Sequence, residues 1–420
     1  MLHPVPRQIR RFGCALILAA GAAQAQTAPT FYRDVLPVLQ TRCQECHRTG
    51  EIGPMPLTTW RETRPWAKAI REAALTRRMP PWFADPHYGH FANDRSLTEA
   101  EMRTLSSWAE AGAPTGDPND APLTRRWPAT WRIGKPDAVF EMPRDFPIPA
   151  RGAVEYQYVI LPSGLTEDRW IQQVEVRPSN PAVVHHAVVY IREPGSAWLR
   201  DSPVGVPFSL PRSFTTSDVL LVYTPGNSMD GWPAGMAKKI RAGSDIVLQI
   251  HYTTTGKPAA DRTRVALNYS RAPVQQAVLT LQMGNDHFAI PPGDPEFRVQ
   301  VSGTLPNDAT LLSLFPHIHL RGKSFEYAIA GTGGQLETLL RVPRYDFYWQ
   351  LNYRLAEPRR LAAGTRLLFT ATFDNSPSNP RNPDPKAEVR FGEQSWEEMM
   401  IGFFDVVVDA KVDKKSFFIR

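Results

Sequence analysis

Cysteine is scarce in this chain, which has three cysteines among 420 residues. Cys14 lies in a segment that we expect to be removed, so Cys43 and Cys46 remain in the mature protein. With no further pair available, a scaffold held by several disulfides is excluded. The fold must instead be stabilised by hydrophobic cores, and a chain of this length is expected to form roughly two or three of them.

Long apolar runs are also missing. The run at residues 14–23 is short, and nothing later approaches the roughly 20 apolar residues of a membrane-spanning helix. This run follows three arginines and precedes small residues at 23–25, which is the layout of a secretory signal peptide. We therefore expect residues 1–25 to be cleaved and the mature protein to be periplasmic or secreted, without a membrane span.

Neither sign of charge dominates the sequence. The formal net charge of +6 falls to about +3 once the leader and its three arginines are removed. The basic balance is therefore partly a property of the leader. A charge this small does not indicate a nucleic-acid partner.

Cys43 and Cys46 are followed directly by His47, in the spacing Cys-x-x-Cys-His. This is the attachment motif of haem c, in which both thiols bond to the haem and the imidazole ligates its iron. The alternatives are a redox dithiol or a disulfide. A thioredoxin-like dithiol would need a strand–helix–strand context, whereas here a helical stretch precedes the motif and proline-rich chain follows it. The sequence therefore predicts one covalently bound haem c.

Residues 27–116 are predicted to form a small helical domain. Apolar residues recur at helical spacing over residues 31–39, 65–75 and 97–109. Thr98 and Glu101 form a capping box at the start of the last helix. Helices that flank Cys-x-x-Cys-His in this way resemble a class I cytochrome c domain.

The cytochrome resemblance implies a sixth iron ligand from a methionine upstream of the C-terminal helix. Met79, which precedes two prolines, is the best match to that position, and Met55, also before a proline, is the second. His87 or His90 would instead give a bis-histidine haem, although either is equally explained as an exposed loop residue. Met102 lies within the predicted helix and is expected to be a core residue.

Beyond a polar linker at residues 117–135, the predicted structure changes from helix to strand. Stretches with alternating apolar residues recur between Pro- and Gly-rich turns, at residues 154–160, 170–176, 183–191, 245–252, 262–268, 297–301, 311–320, 365–373 and 399–407. Strands at this spacing without crossover helices indicate antiparallel β-sandwiches, and the remaining length is enough for two. The expected fold class is multidomain, with a small all-α domain followed by two all-β sandwich domains.

Five histidines of the β half are candidate metal ligands. An extended strand sends His317 and His319 to the same face, which makes a two-nitrogen site. His185 and His186 would point to opposite faces of a regular strand, so they share an ion only if the strand ends or bulges there. His251 lies on a strand of its own. Each of these residues, taken alone, is equally explained as a buried histidine bonded to the backbone, and imidazole does not choose among copper, zinc, iron and nickel.

Together these residues resemble the copper type II, ascorbate-dependent monooxygenases, the family of peptidylglycine α-hydroxylating monooxygenase and dopamine β-hydroxylase, over roughly residues 150–408. In that family the first copper is held by an adjacent His-His pair and a third histidine in a Leu-Gln-Val-His-Tyr context. His185 and His186 match the pair, and His251 in Leu-Gln-Ile-His-Tyr matches the third. The resemblance implies that these three residues hold an electron-storing copper.

The second copper of the family is held by His-x-His before Gly-Lys and by a methionine after a glutamate. His317 and His319, with Gly-Lys three residues further on, match the first element. Met399 follows a glutamate and matches the second, with Met400 as the alternative. The resemblance implies that this site reacts with dioxygen. His287 matches no ligand of the family.

The resemblance also implies two jelly-roll-like sandwich domains, residues 136–275 and 276–420, and two copper ions as cofactors. The reaction it implies is hydroxylation of a substrate C–H bond with dioxygen, with the second electron coming from the three-histidine site. Because this chain would carry its own haem, we infer that electrons from ascorbate or a redox protein pass through it. Animal members of the family carry several disulfides, and this chain can have none once Cys43 and Cys46 hold the haem.

Peptide-amidating members bind the substrate carboxylate with an arginine, an asparagine and a tyrosine. The matching positions here are Phe315, Ile401 and Phe403. A buried carboxylate facing three apolar side chains would be left unpaired at a large cost in free energy. A small, neutral and largely apolar substrate is therefore expected. The alternative is a non-catalytic periplasmic protein, an electron carrier or a copper-binding module, that keeps the ligands without a substrate pocket.

Overall fold

The computed structural model describes Met1 and residues 28–128, 130–210, 218–330, 334–412 and 414. Apart from Met1, the expected signal peptide at residues 1–25 lies outside the described residues. None of the helices in these ranges is long and apolar enough to cross a membrane. The chain is mostly β-sheet with a few short helices, which agrees with the expected β-sandwich domains.

The described helices all precede residue 121. They are a π-helical turn at Phe31–Val35, α1 (Leu36–Arg42), α2 (Trp60–Thr63), a 3-10 turn at Arg64–Trp66, α3 (Ala67–Leu75), α4 (Glu99–Glu110) and a 3-10 turn at Pro118–Asp120. Irregular chain with prolines separates α1 from α2 and α3 from α4, because proline removes a helical hydrogen bond and restricts the residue before it. The all-α domain predicted over residues 27–116 is therefore not evident as such, since short helices alternate there with irregular chain.

The last of these helices, α4, begins at the predicted capping box. Oγ1 of Thr98 accepts the N–H of Glu101 at 3.1 Å, and the Glu101 carboxylate accepts the N–H of Thr98 at 2.7 Å. The apolar face of α4 buries Met102, Leu105 and Trp108, and the last two belong to the small core of the N-terminal region. Met102 is thus a buried helix residue, as the sequence predicts.

The described ranges contain 21 strands. They are β1 (Ala138–Glu141), β2 (Phe146–Ile148), β3 (Gln157–Pro162), β4 (Arg169–Arg177), β5 (Val184–Arg192), β6 (Asp218–Tyr223), β7 (Met229–Gly231), β8 (Met236–Ile240), β9 (Asp245–Tyr252), β10 (Ala259–Asp261), β11 (Arg264–Tyr269), β12 (Gln276–Gly284), β13 (Ala289–Ile290), β14 (Phe297–Thr304), β15 (Ala309–His317), β16 (Gly322–Ala330), β17 (Leu336–Val342), β18 (Tyr353–Leu361), β19 (Arg366–Phe373), β20 (Val389–Arg390) and β21 (Ile401–Asp409). Each predicted strand overlaps one of these, and the bounds predicted for β9 agree with the structure.

Two layers of strands form a first sandwich. One layer has the order β1-β11-β4-β8, with β7 beside β4, and the other has the order β3-β9-β5-β6. Their apolar sides pack into one core, which includes Val159, Val174, Val189, Leu248 and Val265. The strands β5 and β9 lie next to each other in the smaller layer.

The second sandwich has the same construction. Its layers are β12-β21-β15-β18 and β14-β19-β16-β17. Leu314, Phe325, Tyr327, Phe369 and Phe404 belong to its core. The strands β15 and β21 are adjacent and antiparallel, so the end of β15 lies beside the start of β21.

One sheet continues from the first sandwich into the second. β8 pairs with β12 in parallel, with Met236 opposite Gln276, and this pairing makes a nine-stranded sheet across the boundary expected near residue 275. The buried Lys238 spans the same junction, because its Nζ donates to Oγ1 of Thr280 at 2.6 Å and lies 3.6 Å from the Asp405 carboxylate. These contacts hold the two sandwiches at a fixed separation.

The N-terminal region contacts both sandwiches. The Arg95 guanidinium donates to the carbonyl of Gly226 in the first sandwich at 2.9 Å. The Asn93 amide donates to the carbonyl of Asn352 in the second sandwich at 2.7 Å. The segment that carries Cys-x-x-Cys-His is thereby held beside the β half of the chain.

Candidate functional site

Three of the predicted ligands meet on the smaller sheet of the first sandwich. His185 and His186 lie near the start of β5, and His251 lies on β9, where it is paired with His186. The register is irregular between Val184 and His186, so the two adjacent imidazoles are not sent to opposite faces. A shared site requires that the strand ends or bulges at these histidines, and β5 has such an irregularity.

The imidazoles of this three-histidine cluster converge through their Nδ1 atoms. Nδ1 of His185 lies 2.9 Å from Nδ1 of His186 and 3.2 Å from Nδ1 of His251. Two nitrogens on metal bonds of roughly 2.0–2.1 Å lie about 3 Å apart when the bonds meet at about 90–100°. The three nitrogens are therefore spaced as ligands of a single metal ion.

Burial keeps the same three imidazoles neutral. Desolvation lowers the pKa of His185 to about 4. Desolvation, and then the neighbouring imidazoles, hold the pKa values of His186 and His251 well below the usual 6.5. A neutral imidazole offers the lone pair that a metal ion needs.

The second pair of predicted ligands lies at the end of β15. This strand ends at His317, so the prediction that both histidines lie on the strand is wrong for His319, which is in the turn that follows. The reason is Glu398, whose carboxylate accepts the N–H of His319 at 2.9 Å and the N–H of Arg321 at 2.6 Å. The rings of His317 and His319 nonetheless lie 5.2 Å apart between centroids.

Both of these rings have a nitrogen free for a ligand. Nδ1 of His317 lies 2.7 Å from Oε1 of Gln350. That oxygen only accepts, so Nδ1 carries the proton and Nε2 does not. Neither ring nitrogen of His319 makes a well-aligned hydrogen bond within the part of the chain that the structure describes, although both are buried and the backbone of Gln394 and Glu397 lies close to the ring. Because an unpaired buried polar group is costly, His319 fits a metal ligand better than a core histidine.

The two candidate methionines lie in different surroundings. Met399 lines a cavity together with His186 and His317, whereas Met400 is fully buried in the core of the second sandwich. The strand predicted to begin at residue 399 begins at Ile401, which pairs with His317. The structure therefore brings Met399 to the histidines.

The two groups of histidines meet in one pocket between the sandwiches. The ring centroids of His186 and His317 are 5.8 Å apart. Phe347 lies between the groups, with its ring 4.7 Å from that of His185 and 6.3 Å from that of His319. The pocket holds a cavity of about 50 Å³, and its apolar lining includes Phe315, Ile401 and Phe403.

The Cys-x-x-Cys-His motif faces a larger cavity of about 650 Å³. Cys43, Cys46 and His47 line it, and both thiols are free. Desolvation raises the pKa of Cys43 to about 12 and that of Cys46 to about 11, whereas a redox dithiol needs a lowered thiol pKa. Nδ1 of His47 lies 3.2 Å from the carbonyl oxygen of Met55, to which it can donate, and this leaves Nε2 for another ligand.

The four alternatives for a sixth haem ligand differ in position. Met79 and Met55 both line the larger cavity. The exposed side chain of His87 pairs with Asp85, and His90 is also exposed. Neither His87 nor His90 is among the described residues that line this cavity.

The larger cavity extends to the three-histidine cluster. Val184, His185 and Thr253 line it from the first sandwich, and Tyr348 and Trp349 line it from the second. His185 therefore belongs both to the three-histidine cluster and to the cavity wall.

Three residues that shape the site were not predicted. Phe347 and Gln350 lie in the loop between β17 and β18, and only long-range packing brings them to the histidines. Glu398 has a local signal, because it directly precedes Met399, but its bonds to the turn after β15 depend on the pairing of β15 with β21.

Comparison with protein-family models finds no match, and comparison with curated protein sequences finds none. Among solved structures, the chain is similar to infectious bursal disease virus of the Gx strain at 7% identity and a TM-score of 0.18, covering 69% of this chain and 77% of that one. It is similar to the VP2 subviral particle of the same virus at 8% identity and a TM-score of 0.21, covering 70% and 77%. It is also similar to PNGF-II at 11% identity and a TM-score of 0.21, covering 64% and 60%. Scores this low carry no argument about fold or function.

The buried histidines make the stability of the metal-free protein depend on pH. Their folded pKa values lie below the unfolded value of about 6.5, so the unfolded chain binds protons that the folded chain does not. Stability is therefore present above pH 6.5 and is lost as the pH falls toward 4. For His185 and His317, whose folded pKa values are about 4, the expected loss between pH 7 and pH 5 is about 2 kcal/mol each.

Urea unfolding of the metal-free protein at pH 7 and pH 5 measures this loss. His317→Gln should reduce the difference between the two pH values, and His287→Gln, at an exposed histidine, should leave it unchanged. An equal pH dependence in wild type and His317→Gln would contradict the burial of a neutral imidazole at position 317.

Proposed function

We propose that the protein is an exported, copper-dependent monooxygenase that hydroxylates a C–H bond of a small apolar substrate with dioxygen, using electrons delivered through a haem c. The observation that carries the proposal is that a His-His pair, a strand histidine and a His-x-His pack into one buried group of rings, with a methionine lining the cavity beside His186 and His317. Histidines with separate structural roles have no reason to meet there. The proposal divides the mature chain into a cytochrome c domain at residues 27–116, a linker at 117–135, and two copper-binding domains at 136–275 and 276–420.

His185, His186 and His251 would hold one copper ion through three neutral imidazole nitrogens. Such a ligand set accepts both Cu(I) and Cu(II), and the bound ion would supply storage of one electron. The chain contributes by burial, which keeps the imidazoles unprotonated and water away from the site.

His317, His319 and Met399 would hold the other copper ion. A thioether is a softer ligand than imidazole and favours Cu(I), the state that reacts with dioxygen. Gln350 fixes the orientation of His317 through its hydrogen bond to Nδ1. Glu398 ties the turn that carries His319 to the segment that carries Met399. These two residues position the donors, and Gln350 also lines the smaller cavity.

Cys43, Cys46 and His47 would hold the haem, which would supply the electron relay. The cavity beside them, about 650 Å³, falls within the roughly 300–1,000 Å³ range of cofactor pockets. A methionine thioether would complete the ligands of the iron and raise its reduction potential. Met79 lines the cavity and precedes two prolines upstream of α4, the position that the cytochrome resemblance favours, and Met55, which also lines the cavity, is the alternative.

The lining of the smaller cavity supports a small, uncharged substrate. Phe315, Ile401 and Phe403 line it next to the histidines of both groups. The buried carboxyl group of Glu393 also lines it and offers no cationic partner to a substrate carboxylate. In the proposed reaction one oxygen atom enters the product and the other leaves as water, with two electrons and two protons consumed. The electrons come from ascorbate or from a redox protein.

The second candidate function is electron transfer or copper binding without catalysis. The observation that favours it is the size of the smaller cavity, about 50 Å³, which has room for only about three or four water-sized atoms. Turnover of a C–H substrate separates the two candidates.

Two substitutions should each remove one copper and yet impair the protein differently. Wild type should bind two copper ions and one haem. His251→Ala removes a ligand of the electron-storing site, so haem oxidation by dioxygen in pre-reduced protein should slow. Met399→Ala should leave the Cu(II) spectrum of the three-histidine site unchanged and abolish hydroxylated product. Metal analysis, electron paramagnetic resonance and a substrate screen under labelled dioxygen measure these effects.

His287→Ala is the matched control, because His287 is exposed and lies outside the pocket. It should bind both copper ions. Wild-type protein that binds one copper ion or none, or that binds both without oxidising any C–H compound, would contradict the monooxygenase.

The sixth haem ligand has a spectroscopic signature. If Met79 ligates the iron, the ferric protein should show the weak near-infrared band of methionine–haem coordination, and Met79→Ala should lose it. Met55→Ala is the control and should keep the band. Loss of the band in Met55→Ala but not in Met79→Ala would move the assignment to Met55, and its absence from wild type would indicate a bis-histidine haem.

A further inference from the structure

One turn of the chain contacts all three of the proposed redox sites. It comprises residues 346–350, between β17 and β18, and we call it the 346–350 turn. Its position follows from contacts that join it to both histidine groups and to the larger cavity. The proposed function does not account for a segment with this position.

The 346–350 turn is held in a defined shape by its first residue. The Asp346 carboxylate accepts the N–H of Tyr348 at 3.0 Å, and its carbonyl accepts the N–H of Trp349 at 2.9 Å. Arg381 donates to the same carboxylate at 2.8 Å, and its guanidinium lies 5.3 Å from the ring centre of Tyr348. A turn fixed in this way places its side chains with little freedom.

Phe347, Tyr348 and Trp349 lie on the side of the turn that faces the three-histidine cluster and the larger cavity. The ring of Phe347 stacks on that of His185, with 4.7 Å between centroids and 24° between planes. Tyr348 packs edge-on against His185 at 5.8 Å and lines the larger cavity together with Trp349. His185 is thus enclosed between the cavity and the turn.

The same turn also contacts the second histidine group. Phe347 lies 6.3 Å from His319 between ring centroids, and Oε1 of Gln350 accepts from Nδ1 of His317 at 2.7 Å. The amide nitrogen of Gln350 donates back to the carbonyl of Phe347 at 3.4 Å, which links the residue that contacts His317 to the residue that contacts His185. A shift of the turn would therefore change both histidine groups and the cavity wall together.

We propose that the 346–350 turn is a positioning element that fixes the separations of the three redox sites, so that electrons pass from the haem through His185 to the first copper and on to the second. This proposal rests on the proposed function, because it requires haem and copper at the sites described. In the first transfer the haem iron goes from Fe(II) to Fe(III) and the copper from Cu(II) to Cu(I). No bond is made or broken, no proton is required, and the external reductant restores the haem.

Substitutions that keep or remove the aromatic rings test this role. Phe347→Leu removes the ring that stacks on His185, and Phe347→Tyr keeps it. Tyr348→Ala and Tyr348→Phe form a second pair at a side chain that is 47% exposed, where truncation is compatible with folding. Trp66→Leu is the control, because Trp66 is 43% exposed and does not line either cavity.

The measurement is intramolecular electron transfer in the oxidised, haem- and copper-loaded protein without dioxygen. A flash-generated flavin semiquinone delivers one electron to the haem, and the absorbance of the haem follows its reoxidation by Cu(II). Phe347→Leu and Tyr348→Ala should slow reoxidation by about tenfold, and the ring-keeping variants and Trp66→Leu should stay within about twofold of wild type. In electron paramagnetic resonance, each Cu(II) ion should broaden the signal of the other, and this dipolar broadening should decrease in Phe347→Leu.

The possible failures can be told apart. Wild type without bound haem or copper would overturn both the proposed function and this role. Loaded wild type with rapid transfer, together with equally rapid transfer in Phe347→Leu and Tyr348→Ala, would overturn the role of the turn alone. Equal slowing in the ring-keeping and ring-removing variants would also overturn it, because the effect would then come from general disturbance of the fold.

Discussion

A single buried carboxylate holds the second histidine site together. Glu398 has no exposed surface, and it accepts the backbone N–H groups of His319 and Arg321, while the next residue in the chain is Met399. Burial raises the pKa of this carboxyl to about 8, and the two amide donors and the Arg321 guanidinium oppose that shift. The carboxyl group accepts these two hydrogen bonds where the strand pairing has ended at His317. Without it, the turn after β15 and the segment before β21 would keep the bond from the Arg321 guanidinium to the Trp396 carbonyl at 2.9 Å but would lose the bonds to the N–H groups of His319 and Arg321.

The separation between the two histidine groups depends on the junction of the sandwiches. The β8–β12 pairing continues one sheet across the boundary, and Lys238 lies within it. Because this junction is fixed, His186 and His317 face each other at 5.8 Å instead of across open solvent. The space left between them is small and mostly apolar. A pocket of this kind excludes bulk water, strengthens electrostatic interactions inside it and has room only for a small molecule.

Local patterns in the sequence predict which strands carry the candidate ligands. They predict less well where the side chains of those ligands lie in the folded protein. Alternating apolar residues predict β5 and β9, and the adjacent histidines at 185 and 186 require the irregularity that β5 shows. The turn at His319 is not predicted, because it depends on a carboxylate 79 residues away. β18 is missed because five of its nine residues are exposed and its apolar residues do not alternate. The 346–350 turn has no periodicity, so nothing local marks it, and the continuous sheet across the two sandwiches likewise follows only from long-range pairing.

Crystals of haem-matured, copper-loaded protein provide the most direct test of the central claim, that two copper ions share one pocket beside a haem. Anomalous differences measured on both sides of the copper and iron absorption edges locate each metal without reference to activity. The account predicts one copper peak among the Nδ1 atoms of His185, His186 and His251, a second between His317, His319 and Met399, and an iron peak in the cavity beside Cys43 and Cys46. A single copper peak, or copper bound away from these residues, would contradict it.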